Sequence, residues 1–153
     1  MPGIPLSETL LPVKVKPLLS DREQLLYARL VSAFAGYIIL AKVAMSQLLA
    51  VERSPTRRHS QQDANQLRQL VADFAVCGPD FSVVAVIEVD RRVQKREAQR
   101  MRDLWKNQLL RAAGVNVIRI SVNEIPDEAA LQALMSIHLL QLSEAPPDIR
   151  RVG

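Results

Sequence analysis

Carboxylates stand at unusual places in two apolar segments of the sequence. Glu88 and Asp90 end the run "VVAVIEVD", and Asp73 lies inside "VADFAVC". Side chains alternate along a strand, so Glu88 and Asp90 project to the same face. An ionised carboxylate beside a hydrophobic core needs a counter-charge, a metal or several hydrogen-bond donors. Hard divalent cations such as Mg2+ take oxygen ligands, including one or two carboxylates with water and a substrate phosphate.

Two strands joined by a tight turn are needed to bring these acids together. The segment "GPDF" separates β-rich runs at about 70–77 and 82–90, which predicts a β-hairpin. This hairpin places Asp73 beside Glu88, where both can reach one ion. The run at 82–90 is apolar at successive positions, which is typical of a strand buried on both faces. We therefore expect it to be internal in the sheet.

Helices and further strands are predicted on both sides of this hairpin. Ser20 as N-cap and Glu23 three residues later form a capping-box pattern, so a helix is expected over 20–34. The remaining periodicity predicts strands at 37–44 and 115–120 and helices at 97–113 and 127–142. A helix between the third and fourth strands indicates a right-handed parallel crossover. The fold class is α/β: a mixed four-stranded sheet, an antiparallel meander plus a crossover strand, flanked by helices.

The chain divides into three parts on composition. A proline-rich extended arm is expected over 1–18, one domain over 19–142 and a flexible tail over 143–153. Hydrophobic residues make up 48% of the chain, which is enough for a core and argues against global disorder. The single cysteine, Cys77, excludes an intrachain disulfide framework or a cysteine-based zinc site.

A burst of positive charge follows the acidic strand end. Residues 91–111 hold eight Lys or Arg side chains against two Asp or Glu, and the whole chain carries a net charge of +4. Phosphate contacts supply most sequence-independent affinity for nucleic acid. We therefore expect nucleic acid as the partner, with DNA favoured over RNA and no membrane. The candidate binding residues are Arg91, Arg92, Lys95, Arg96 and Arg100.

The expected location is the cytoplasm. One cysteine fits a reducing compartment, and the first residues lack a basic stretch followed by a long apolar segment, so no signal peptide is expected. The most apolar stretch, "VSAFAGYIILAKVAMSQLLAV", contains Lys42 near its middle and is interpreted as a strand and a short helix rather than a membrane span.

Several motifs in order resemble one family. They are "LLSDREQLLYARL", "VADFAVCGPDFSVVAVIEVD" and "RDLWKNQLLRAAGVNVIRI". Together they resemble the DUF2726 family, a branch of the PD-(D/E)XK nuclease-like superfamily, over residues 17–135. The resemblance implies a restriction-endonuclease-like core and a metal-dependent nuclease that hydrolyses phosphodiester bonds with Mg2+ or Mn2+.

The resemblance also implies roles for particular residues. Asp73 matches the aspartate of the second strand, Glu88 the acidic residue of the third, and Glu23 the acidic residue of the first helix. The superfamily lysine is expected two residues after Glu88, where this chain has Asp90; Lys106 in the "D-x-x-K" segment of the next helix is its candidate replacement. The implied catalytic residues are Asp73, Glu88 and Lys106. The implied metal ligands are Glu23, Asp73, Glu88 and Asp90.

Structural explanations remain open for the same residues. Glu23 could serve only the capping box, and Asp90 could only begin a loop. Asp73 and Glu88 could be plain ion-pair partners of a nearby cation, with Arg68, Arg119 and Lys106 as candidates. The basic run could be a solvated helix face. Two alternatives to a nuclease follow: a catalytically degenerate fold that binds nucleic acid or protein, or a structural domain without a nucleic-acid partner.

Overall fold

A computed structural model describes residues 11–52, 61–91 and 94–144 of the chain. Within these ranges, four strands and five helices follow one another. In chain order they are α1 (Asp21–Ala33), β1 (Ile38–Ala44), α2 (Met45–Leu48), α3 (Gln61–Gln69), β2 (Val71–Cys77), β3 (Val83–Asp90), α4 (Glu97–Ala112), β4 (Asn116–Ser121) and α5 (Glu128–Glu144).

The four strands form one mixed sheet in the order β1-β2-β3-β4. The first three strands are an antiparallel meander, and β4 pairs parallel to β3 after the crossover through α4. Because β3 pairs on both sides, the prediction that the apolar strand is internal is confirmed. The α/β class and the four-stranded mixed sheet flanked by helices are confirmed with it.

Element boundaries lie close to the predicted ones. Each of the predicted helices and strands is present, with ends shifted by at most two residues. The helix α5 runs to Glu144, two residues past the predicted end of the domain. Residues 11–17 contain no helix or strand. The rest of the arm, 1–10, and the tail from 145 onward lie outside the described residues.

Helices cover both faces of the sheet. The helices α1 and α5 pack through Leu30 and Leu131 onto the face that carries Phe74 and Ile87. On the other face, Leu110 of α4 packs with Val86 of β3 and Ala72 of β2. The apolar periodicity of each helix therefore decides which side chains lie over the sheet. No helix in the described ranges is long and apolar enough to cross a membrane.

Candidate active site

The end of β3 carries a buried ion pair. Glu88 lies two residues after Val86, so its side chain points to the face that α4 covers. On α4, Lys106 precedes Leu110 by one helical turn, so both face the sheet. Lys106 Nζ lies 2.8 Å from Glu88 Oε2 and also donates to the Val71 carbonyl at 3.3 Å. Lys106 is thus the predicted ion-pair partner of Glu88.

Asp73 is held from two sides at the middle of β2. Its Oδ2 accepts a hydrogen bond from the Val89 backbone N–H at 2.9 Å. Its Oδ1 contacts Lys42 Nζ at 3.3 Å and an Arg91 guanidinium nitrogen at 3.2 Å. Asp73 is 8% exposed, so these donors replace almost all of its hydration.

Glu23 combines helix capping with a place in the charge cluster. Its Oε2 accepts from the Ser20 backbone N–H at 2.8 Å, and the Ser20 hydroxyl accepts from the Glu23 N–H, which completes the capping box. Its Oε1 contacts Lys42 Nζ at 2.7 Å and the Arg91 guanidinium. The capping explanation is confirmed, and the same carboxylate also takes part in the cluster.

Lys42 reaches both acids from an unusual backbone conformation. Its φ is 53°, in the left-handed region that non-glycine residues seldom adopt. The β1–β2 ladder pairs the neighbours of Lys42 with the neighbours of Asp73, so the two residues stand opposite each other. The backbone distortion costs about 1 kcal/mol. The distorted residue is the one whose ammonium bridges Glu23 and Asp73.

The two acids that share these cations are held in the ionised form. Burial raises the pKa of Glu23, but Lys42, the Ser20 N–H and Arg91 outweigh it and lower the pKa from 4.5 to about 2. Burial also raises the pKa of Asp73, and the Val89 N–H with the charges of Arg91 and Lys42 again outweighs it, so this pKa lies below its usual value.

Glu88 behaves in the opposite way. Burial raises its pKa from 4.5 to about 6; the Lys106 ammonium opposes this rise, and the negative charge of Asp73 adds to it. The two neighbouring carboxylates of the sheet are therefore different. Asp73 is firmly ionised, while Glu88 changes its proton occupancy close to neutral pH.

A cavity of about 300 Å³ opens beside these acids. Two buried oxygens at it, Glu88 Oε1 and Asn107 Oδ1, have no hydrogen-bond partner among the described residues. The lining is strongly charged and comes from β2, β3, β4, α4 and the segment between β3 and α4. It comprises Val71, Asp73, Glu88, Val89, Asp90, Arg91, Lys95, Gln99, Asp103, Lys106, Asn107 and Arg119. Oxygen acceptors and cationic donors thus line one partly open cavity.

The predicted nucleic-acid residues lie in different settings. Arg91 contacts Glu23 and Asp73, and Lys95 pairs with Asp103 on α4. Arg96, at the N-cap of α4, and Arg100 are exposed. Arg92 lies outside the described residues. Of the four predicted binding residues that the structure describes, Arg91 and Lys95 line the cavity as members of ion pairs, and Arg96 and Arg100 face solvent.

The predicted metal ligands do not all meet. Among the residues that the structure describes, no group of three or more His, Cys, Asp or Glu side chains is placed to hold one ion. Glu23 has both oxygens engaged, and Asp90 is exposed at the strand end. Asp73 and Glu88 both line the cavity, but both oxygens of Asp73 are also engaged, whereas Glu88 Oε1 has no hydrogen-bond partner among the described residues.

Comparison with protein-family models assigns the chain to a family. The model described as "Protein of unknown function (DUF2726)" matches residues 15–137. The chain belongs to this family. No curated protein and no solved structure matched the chain. Membership of DUF2726 confirms the family that the motifs indicated, and the family description assigns no activity.

Sequence reasoning missed two partners of the acids within this DUF2726 domain. Lys42 was noted only as a charge in an apolar segment, and Arg91 only as a phosphate-binding side chain. A lysine inside an apolar strand needs a counter-charge for the same reason as Asp73 does. Its position in such a strand was therefore the sequence signal that Lys42 has an acidic partner. Asn107 was not singled out, and its sequence neighbourhood carries no signal for a buried amide.

Proposed function

We propose that the protein is a metal-dependent nuclease that hydrolyses phosphodiester bonds of nucleic acid on a core related to the PD-(D/E)XK superfamily. One observation carries the proposal: Glu88 and Lys106 form a buried pair, 2.8 Å apart, beside Asp73 at the edge of a cavity lined by both acidic and basic side chains. An acid–lysine pair beside a second acid supplies the residue types that such hydrolysis uses, and the cavity offers room for a phosphate.

A divalent cation belongs to this proposal. The carboxylates of Asp73 and Glu88 would hold Mg2+ or Mn2+, and water and substrate would fill the other coordination positions of the ion. When bound, such an ion lowers the pKa of a coordinated water and stabilises negative charge on the phosphate. Glu23 and Asp90 stay predicted ligands. Glu23 is engaged by Lys42 and Arg91, and Asp90 lies at the cavity margin.

Lys106 takes the place of the lysine that the third strand lacks. The position two residues after Glu88 holds Asp90, so a strand lysine is absent there. A lysine on α4 reaches the same acid from above the sheet, and its Nζ lies at the cavity. An ammonium beside the scissile phosphate stabilises the negative charge that develops during hydrolysis.

The remaining cations suit an anionic strand. Four cations, Arg91, Lys95, Lys106 and Arg119, line the cavity together with four acids, and Arg96 and Arg100 are exposed at the start of α4. Arginine and lysine side chains of this kind contact phosphate oxygens without reading the base sequence. The proposal therefore expects binding that tolerates sequence changes and weakens with salt. DNA is favoured over RNA as substrate.

A second candidate function is a nuclease fold that binds nucleic acid or protein without cutting. The observation in its favour is that Glu23 and Asp73 are already neutralised by Lys42 and Arg91. A site whose acids are satisfied by the protein's own cations has less need for a metal. Loss of the strand lysine at position 90 points in the same direction.

Cleavage of a substrate panel separates these candidates. Single- and double-stranded DNA and RNA of matched sequence are incubated with Mn2+, with Mg2+ and with a chelator. We expect cutting with either ion, no cutting in chelator, and loss of cutting in Asp73→Asn and Glu88→Gln proteins that still fold. Binding without cutting, unchanged in both variants, would favour the second candidate; neither binding nor cutting would exclude a nuclease and a nucleic-acid-binding fold, and would leave protein binding as the form of the second candidate.

A further inference from the structure

Glu23 and Asp73 are neutralised by two cations that differ in how they are held. Both acids contact Lys42 and Arg91 through one oxygen each, Oε1 of Glu23 and Oδ1 of Asp73. These oxygens therefore share the same two positive charges. A divalent ion that draws on Asp73 Oδ1 has to compete with both side chains, so the ease with which each one leaves matters.

Lys42 is the fixed member of the two. Its backbone is held at φ 53° within β1, between ladder positions that pair normally with β2. Its side chain is 25% exposed, and Lys42 is absent from the cavity lining. A strained backbone persists only where the surrounding structure imposes it, and here the sheet imposes it on both sides.

Arg91 is the more exposed of the two cations. It follows the last residue of β3, its side chain is 45% exposed, and it lines the cavity. Its guanidinium therefore has carboxylates on one side and the cavity on the other. An arginine presents several donors in a planar fork that suits phosphate as well as carboxylate.

We propose that Arg91 is an exchangeable counter-ion of Glu23 and Asp73, which leaves these acids when a divalent cation binds and turns to a substrate phosphate, while Lys42 stays. This inference rests on the proposed function and adds a positioning role for Arg91 within it. Arg91 then has two successive partners: carboxylates in the free protein, and a phosphate in the loaded one.

The proposal predicts that removal of the Arg91 side chain changes the affinities for a divalent ion and for nucleic acid in opposite directions. Removing Arg91 frees the acids, so the apparent affinity for a divalent ion rises in inverse proportion to the competent fraction. For an ion pair that is half exposed, this is about a fivefold gain. The same change removes a phosphate contact, so nucleic-acid affinity falls. A side chain that serves nucleic acid alone leaves the metal affinity unchanged.

The test is a calorimetric titration of the full chain with Mn2+, without nucleic acid. Arg91→Gln is compared with the unaltered protein and with Arg102→Gln, which removes one charge from an α4 side chain outside the cavity lining. Thermal unfolding verifies that each variant folds, and Arg91→Lys, with a shorter reach, is expected to bind Mn2+ with intermediate affinity.

Tighter Mn2+ binding in Arg91→Gln than in Arg102→Gln, with weaker binding of a DNA oligonucleotide, supports the proposal. It is overturned if Arg91→Gln binds Mn2+ no more tightly than Arg102→Gln. If the unaltered protein binds no Mn2+ but Arg91→Gln does, the exchange role is supported; if neither binds, the exchange role and the metal site both fail. Cleavage assays are read separately, so a protein that binds Mn2+ without cutting overturns only the proposed activity.

Discussion

Lys106 Nζ lies 2.8 Å from Glu88 Oε2, and each side chain is only 10% exposed. The pair joins helix α4 to the end of strand β3. Burial is strong enough to raise the pKa of Glu88 to about 6 even with an ammonium in contact. A buried pair of this kind contributes little as a whole, but removal of one partner leaves the other charge unpaired, which is costly.

Replacement of Lys106 is therefore expected to destabilise the fold in a pH-dependent way. Lys106→Met leaves Glu88 buried without its counter-charge, so the pKa of Glu88 rises further above its unfolded value. A carboxyl with a raised folded pKa favours the folded state at low pH and opposes it as pH rises through that pKa. We predict a loss of about 3 kcal/mol in the free energy of unfolding at pH 8 and a smaller loss at pH 5.

The control for this prediction is Lys95→Met. Lys95 pairs with Asp103, but these side chains are 32% and 31% exposed, so the loss is expected to stay below about 1 kcal/mol at both pH values. Denaturant unfolding of both variants gives the comparison. An equal cost for the two substitutions, or no change with pH for Lys106→Met, would contradict a buried and charged Glu88.

The two roles of Glu23 are expected to separate by substitution. Ser20→Ala removes only the capping hydroxyl and should cost about 1 kcal/mol at any pH. Glu23→Gln keeps an acceptor for the Ser20 N–H but removes the charge that Lys42 and Arg91 neutralise, and should cost about 2 kcal/mol at pH 7.

The pH dependence tells these effects apart. Glu23 has a pKa lowered from 4.5 to about 2, so its ionic contribution is present above 4.5 and is lost as pH falls to 2. The difference between the unaltered protein and Glu23→Gln should therefore shrink towards pH 2, as followed by thermal unfolding. A constant difference would show that the charge of Glu23 contributes nothing.

The fold could be predicted from the sequence because its signals are local. The unbroken apolar run of β3 indicates an internal strand, and "GPDF" fixes the hairpin that places Asp73 near Val89. The pairing of Glu88 with Lys106 was one of three partners considered for the acids. The sequence leaves the three partners open, and in the structure α4 places Lys106 one turn before Leu110, on the side that faces the sheet.

The rest of the site depends on distant contacts that no local pattern reports. β1 and β2 are separated by 26 residues in the chain, from 45 to 70. No tight turn therefore determines the register that sets Lys42 opposite Asp73. Arg91 looked like one of many surface cations, because sequence does not show that the end of β3 directs it back towards Glu23. The left-handed backbone of Lys42 is likewise a tertiary effect.

Metal binding is expected to follow the protonation of Glu88. Its pKa is about 6, whereas that of Asp73 is lowered, so Glu88 is the carboxyl of the pair that titrates near neutral pH. Mn2+ competes with the proton, so its affinity should fall by about tenfold per pH unit below pH 6 and level off above pH 7. Calorimetric titrations at several pH values measure this.

Glu88→Gln is the matched variant for the metal prediction. It keeps the size of the side chain and removes the titrating group. We expect weak Mn2+ binding with little pH dependence between pH 5 and pH 7. An unaltered pH profile in this variant would assign the dependence to another group.

Nucleic-acid binding is expected to depend steeply on salt. Each phosphate contact that a cation makes contributes about 0.9 to the slope of log affinity against log salt for duplex DNA. The combined substitution of Arg96 and Arg100 by Gln should lower this slope by about 2, as measured by fluorescence anisotropy. Arg22→Gln, on α1, removes a charge from another element and should leave the slope unchanged. A slope that is equal in all three proteins would place the phosphates elsewhere.

The central claim is that Asp73, Glu88 and Lys106 form a metal-dependent hydrolytic site. The most direct measurement is the initial rate of cleavage of a fluorescently labelled DNA oligonucleotide with Mn2+ for Asp73→Asn against Glu97→Gln, an exposed acid in the first turn of α4. We predict a loss of at least about a hundredfold in Asp73→Asn and none in Glu97→Gln. Equal rates in the two variants, with both proteins folded, would contradict the account.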